Sequence, residues 1–297
     1  MNVIYHCYGG THSSVVAASI HVGLLPDDRL PEDDQLVSLP LFDKLTSADA
    51  GKTIFVGEDE RGHRVYCLGR RHSFRRIKQA LVGLERIYAP GSVRTLFVNT
   101  MRYVNVSMRT GGFLSRRLGN VKVGRAVVLR GTKAAFRGLS GLVKRVKANL
   151  SQEEPAGRRE QAPPRTVILG SEGRVEGLLA ALIAVEQMHA PPDAVRIKQL
   201  ALLARSLPAG EPICMGEAQH REVYFLPCQV EDRLVLGSLR SWVDQHYAHA
   251  DCRLIPVTPR FGDITLGQYL EHYTRIGGWF LSRGTDIAWT ELQKIVT

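Results

Sequence analysis

The sequence predicts an α/β protein of two related three-layer domains, and three observations carry that expectation. Short hydrophobic, strand-like segments alternate with segments of helical periodicity. A polar, proline-bearing stretch, Ser151 to Pro164, interrupts the pattern near the middle. Short motifs then recur in the same order on either side of that stretch.

In the first half the order reads as a strand over 3–7, a glycine loop and a helix over 13–25, with a further strand around Gln35–Leu41. A hairpin follows, Thr53–Val56 with Arg64–Leu68, turning at Asp59–Gly62. Next come a helix over 73–87, a strand at Thr95–Val98, a helix over 107–118, a strand at Ala126–Leu129 and a basic helix over 132–147. Strands connected through helices imply a largely parallel sheet. The domains expected are 1–148 and 166–297, with 149–165 as an exposed linker.

The recurrence indicates a tandem duplication. Val3-Ile4-Tyr5, Gly9 and Ala17-Ala18 match Val167-Ile168-Leu169, Gly173 and Ala180-Ala181. Gly51 to Glu58 matches Gly210 to Glu217, and Val65-Tyr66-Cys67-Leu68 matches Val223-Tyr224-Phe225-Leu226. Late in each half, Gly111 to Arg116 matches Gly277 to Arg283.

With 297 residues, 44% hydrophobic and 23% charged, the chain has the make-up of a globular protein and not of a disordered or fibrous one. Its mean hydropathy of -0.10 and lack of a long apolar run exclude a transmembrane helix. Met1–Tyr5 enters a strand without a basic lead, so no signal peptide is expected, and five cysteines without a C-x-x-C pair suit a reduced, cytoplasmic protein. Charge is uneven. Residues 1–150 carry 24 Lys+Arg against 11 Asp+Glu (net +13), whereas 151–297 carry 15 against 18 (net −3), which together give the +10 of the whole chain. Such a basic half attracts phosphorylated ligands or polyanions.

The segment richest in chemistry is Cys7-Tyr8-Gly9-Gly10-Thr11-His12-Ser13-Ser14, a P-loop-like passage from strand through glycines into a helix. Glycines let backbone and ligand approach closely, and a helix start presents unpaired N–H groups and the positive end of its dipole. Gly9, Gly10, Thr11, Ser13 and Ser14 are therefore the candidate ligand-binding residues. The Walker pattern G-x-x-x-x-G-K-[ST] is not met, because both glycines are missing and His12 stands for the lysine. A cysteine-phosphatase loop places Arg-Ser/Thr after five residues that follow its cysteine. Here Ser13 occupies the arginine position and Ser14 the hydroxyl position. His12 as acid/base or phosphate donor and Cys7 as a thiol acidified by a helix start are the catalytic candidates; the bland alternatives are an ordinary loop histidine, a buried, inert cysteine at a strand end, and a turn with Ser13 or Ser14 as a plain N-cap. A Mg²⁺ near Ser13 or Ser14 would fit phosphoryl chemistry. In the second half, Glu172 and Glu176 occupy the matching segment and would repel a phosphate.

Elsewhere, Glu58-Asp59-Glu60 follows a strand as a Mg²⁺-binding acid would, yet turn chemistry explains it more simply. His6 and Cys7 alternate across a strand, and His12 and His21 lie on different sides of a helix, so no His/Cys zinc site is expected. Basic clusters at Arg70–Lys78 and Lys133–Lys147 make nucleic acid a second candidate partner, through residues 62–147.

Ile4 to Ser14, Gly57-Glu58-Asp59-Glu60, Val65 to Gly69 and Gly111 to Arg116 together resemble a domain-of-unknown-function family of spore-forming Gram-positive bacteria. The resemblance covers about residues 1–147 and implies a cytosolic bacterial protein without an assigned activity. The expected function is binding of a phosphate-bearing ligand or nucleotide at the loop, with phosphoryl transfer or hydrolysis if the protein is an enzyme. The alternatives are a non-catalytic nucleic-acid or anionic-partner binder and a structural or regulatory protein of the sporulating cell.

Overall fold

A computed structural model of the chain describes residues 1–88, 94–108, 110, 121–151, 166–170, 175–190, 192–228, 232–247, 251–257, 260–261, 264–265, 290 and 292–294. The chain forms two compact units, Met1–Phe74 with Arg94–Arg159, and Arg75–Val93 with Glu160–Thr297. Both are mixed α/β.

In the first unit, β1 (Asn2–Cys7) lies between β3 (Arg64–Gly69) and β4 (Thr95–Asn99), with β2 (Thr53–Glu58) at one edge, in the order β2–β3–β1–β4. β1 is parallel to both neighbours and β2 is antiparallel to β3, so the sheet is mixed. Val3 to Cys7 are all buried, as the continuous apolar run of a central parallel strand requires. One face carries Val3, Tyr5, Val65 and Cys67 into a core with helix α1 (Ser13–His21) and with the long helix at Val121–Leu150.

Two expected strands are helical. Gln35 falls in helix α2 (Asp33–Ser38), which starts with a capping box in which the Glu32 side chain and the Gln35 side chain satisfy each other's backbone N–H groups. Two carboxylates in its first turn, Asp33 and Asp34, suit the helix dipole. Ala126–Leu129 belongs to the Val121–Leu150 helix. Its apolar run resembles a strand taken alone, but Val128, Leu129, Ala135, Phe136, Leu139, Val143, Val146 and Leu150 bury one face at helical spacing. The helix expected over 13–25 stops at His21. Of the helix expected over 107–118, residues 106–108 are helical and 111–118 lie outside the described residues. Most of the expected linker and both Gly-Gly motifs at 111 and 277 also lie outside them.

The second unit has the sheet order β6–β7–β5–β8, formed by β5 (Thr166–Gly170), β6 (Ile213–Ala218), β7 (Arg221–Leu226) and β8 (Cys252–Pro256). β5 is parallel to β7 and β8, and β6 is antiparallel to β7. A short antiparallel ribbon joins Arg260–Phe261 to Ile264–Thr265. Helix α3 (Phe74–Tyr88), encoded between β3 and β4, contributes to this unit from Arg75 onward. Its Gly83 packs so tightly that a Cβ would meet the Gly210 carbonyl oxygen at 2.6 Å, and its Tyr88 stacks on Tyr247 at 4.2 Å. The units are thus not contiguous in sequence.

The sheets of the two units share fine detail. β2 carries an irregularity between Phe55 and Gly57, and β6 carries one between Cys214 and Gly216. α1 ends in a Schellman motif, with Leu24 N–H on the Ser19 carbonyl at 2.8 Å and Gly23 N–H on that of Ile20 at 3.2 Å. The helix Val175–Ala184 ends the same way, with Gln187 on Leu182 and Glu186 on Ile183, both at 3.0 Å. Aligning these ends puts Ser13 opposite Glu176.

Candidate anion-binding loop

β1 delivers the loop to the carboxyl end of three parallel strands, where ligand sites of open α/β sheets gather. Backbone bonds tie it there. Arg70 N–H donates to the Cys7 carbonyl (3.1 Å), Arg71 N–H to that of Tyr8 (3.0 Å), and Thr100 N–H to that of His6 (3.0 Å). Gly10 has φ +78°, and a Cβ there would lie 2.5 Å from the Gly69 nitrogen, so this position needs glycine on both counts.

Within the loop, Cys7 Sγ accepts the Gly10 N–H at 3.1 Å and lies 3.2 Å from Ser14 Oγ. Ser13 Oγ is 3.0 Å from Thr100 Oγ1, which donates to the His6 carbonyl at 3.0 Å. Neither serine caps the helix. His12 is the N-cap residue, without a side-chain bond to the first turn, and the first helical bond is Val16 N–H to the His12 carbonyl at 2.9 Å. The amides of Thr11, Ser13, Ser14 and Val15 meet no protein acceptor among the described residues. Thr11 Oγ1 is also buried with no partner among them. Gly10, Thr11, Ser13 and Ser14 are buried, while Tyr8, Gly9 and His12 reach solvent. The helix start is therefore buried, and Tyr8, Gly9 and His12 form the more exposed rim of the loop.

Asp43 is the residue that sequence reasoning missed. It takes a left-handed backbone (φ +55°) and donates its N–H to the Thr11 carbonyl at 3.2 Å. Its carboxylate accepts from His12 Nε2 at 3.2 Å and from Arg125 Nε at 3.4 Å. The hydrogen bond from His12 holds the Asp43 carboxyl below the usual carboxylate range, against partial burial, with Arg125 adding to the effect. An Asp in a Phe-Asp-Lys stretch thirty-one residues downstream of His12 carries no local signal of this role.

His6 points to the opposite face from Cys7, as alternation requires, and stacks on Phe74 at 4.0 Å while accepting from Arg70 Nε at 3.2 Å. Asp59 is a turn residue. Its Oδ1 accepts from the amides of Arg61 and His63, and its Oδ2 accepts from His63 Nδ1 at 2.9 Å and His21 Nε2 at 3.1 Å. Among the described residues no group of three or more His, Cys, Asp or Glu is placed to hold a metal ion.

The charge asymmetry is partly answered inside the first unit. Lys133 pairs with Asp33 at 2.7 Å, Lys144 with Asp27 at 3.6 Å, and Arg125 with Asp43, so helix Val121–Leu150 meets acids encoded in 27–60. In the second unit Glu172 lies outside the described residues, and Glu176 is buried in the first helical turn. That unit has a cleft at the other end of its sheet, lined by Val185, Glu186, Glu217, Arg221 and Arg253, with charges of both signs.

Residues 2–148 match a family model, described as protein of unknown function (DUF3189). The match spans the strand, loop and helix of the candidate site, together with Asp43, Arg125 and the whole sheet of the first unit. No curated protein and no solved structure matches the chain. Among the described residues no helix is long and apolar enough to cross a membrane.

Proposed function

We propose that the loop from Cys7 to Ser14 binds a phosphate-bearing ligand. The observation that carries this reading is that the amides of Thr11, Ser13, Ser14 and Val15 meet no protein acceptor among the described residues, and that the buried Thr11 hydroxyl beside them has no partner there either. Unsatisfied buried donors are costly, and a phosphate oxygen offers what they lack. His12, hydrogen-bonded to Asp43 and partly exposed, is the rim group able to move a proton should the ligand react.

We further infer that the second unit is a duplicated copy that has lost this site. The shared strand order, the irregularity before Gly57 and Gly216, and the matching helix ends support common descent. Glu176 opposite Ser13 supports the loss, since a carboxylate in the first helical turn opposes an anion.

Thr11→Val tests the binding reading, because valine keeps the shape while removing a hydroxyl that has no partner among the described residues. The expected result is a thermal midpoint equal to or above the parent's without ligand, by up to about 1 kcal/mol of stability. The rise in midpoint on adding inorganic phosphate should shrink at the same time. A parent chain that phosphate and nucleotides leave unshifted would overturn the proposal.

A further inference from the structure

Beside the loop, three side chains are gathered on a surface that the fold itself does not require. Tyr8 follows β1 directly, and Arg71 and His72 follow β3. The backbone of Tyr8 is held on both sides, by its N–H on Met101 Sδ at 3.1 Å and by its carbonyl under the Arg71 N–H. Its side chain is held as well. The Arg71 guanidinium lies 5.3 Å from the ring centroid, and His72 Nε2 is 3.2 Å from the Tyr8 hydroxyl with the rings at 73°. Even so, Tyr8 is 41% exposed. Arg71 adopts φ +48°, a conformation that costs a non-glycine residue free energy and tends to be retained at functional sites.

A tyrosine fixed at four points, partly wet and flanked by a cation is a stacking platform, not a core residue. It stands three positions before Thr11 in the same loop, and that shared loop decides what it would stack. Resting on the phosphate-binding reading above, we propose that Tyr8, Arg71 and His72 form an adjoining subsite for a planar aromatic group esterified to the phosphate. A nucleobase and an aryl ring share that chemistry. Flatness is recognised by the ring face, and Arg71 adds attraction for the phosphate end.

The test is calorimetric titration of the full chain with inorganic phosphate, ribose 5-phosphate, AMP and phenyl phosphate. The aromatic esters should bind about tenfold more tightly than ribose 5-phosphate. A gain for AMP alone assigns a nucleobase, and a gain for phenyl phosphate alone assigns an aryl ester; either upholds the subsite. Tyr8→Leu should bring the preference close to one. Arg71→Gly, which suits the positive φ and so protects the fold, should weaken every ester. Equal binding of aromatic and ribose esters, or a preference that survives Tyr8→Leu, overturns the subsite and leaves the phosphate reading intact. Failure of all four ligands, inorganic phosphate included, overturns both.

Discussion

Ser14 Oγ lies 3.2 Å from Cys7 Sγ, so the helix's second residue closes the loop back onto the last residue of β1. The sulfur also takes the Gly10 N–H, and the loop is thus wound around the Cys7 side chain. The spacing, a cysteine with a hydroxyl seven positions later, is that of cysteine-phosphatase loops, here with Ser13 where such loops carry arginine. A double-mutant cycle on Cys7→Ala and Ser14→Ala should give a coupling of about 0.5–1.5 kcal/mol in urea unfolding. A coupling of zero would mean that the two side chains merely adjoin.

Gly10 is the position least able to change. Gly10→Ala combines a positive φ with a Cβ 2.5 Å from the Gly69 nitrogen, a backbone atom that cannot swing aside. The loss should exceed the roughly 1 kcal/mol of the conformational term alone. It should appear as a lowered thermal midpoint.

Gly23 and Glu186 occupy the same place in the two helix-ending motifs, at φ +77° and +56°. A Cβ on Gly23 meets nothing within 4 Å, so Gly23→Ala should cost only the left-handed backbone, about 1 kcal/mol. Glu186→Gly should gain about as much. Opposite signs for these two exchanges in chemical denaturation are the expected outcome.

Stability should fall in acid in two steps. Tyr5 donates to His21 Nδ1 at 2.8 Å, and His21 Nε2 and His63 Nδ1 both donate to Asp59 Oδ2. Burial pushes the His21 pKa below its ordinary 6.5, outweighing the pull of Asp59. The unfolded chain therefore takes up this proton first, and its contribution, complete above pH 6.5, is lost as pH falls below that value. The slope is at most about 1.4 kcal/mol per pH unit. For Asp59, burial works upward but is overcome by hydrogen bonds from the His63 amide and imidazole and from His21, so its pKa falls to about 2. That contribution is present above about pH 4 and is lost as pH falls towards 2. Urea titrations from pH 8 to 5 should show the first step in the parent chain and a flatter profile in His21→Gln.

Much of the plan was legible in the residues. The hairpin at 53–69, the central strand at 2–7 and the glycine turn into a helix at Ser13 were all readable, because period and turn chemistry are local properties. Gln35 and Ala126–Leu129 were misjudged where local cues conflict. A capping box overrode the apolar alternation of the first, and a helical stripe running to Leu150 absorbed the valines of the second.

Sequence alone was enough for the class of fold, the placing of small and hydroxylated residues at one helix start, and the basic character of the first half. The partners of those residues belong to the tertiary structure. Asp43 meets His12, Asp59 gathers His21 and His63, and Tyr8 comes to lie under Arg71, because parallel pairing of β1 with β3 and β4 brings separate turns to common ends of the sheet. Spacing along a chain specifies neighbours within a helix or strand. Contacts across tens of residues are set by which strands pair and in which register, and no single segment encodes that choice.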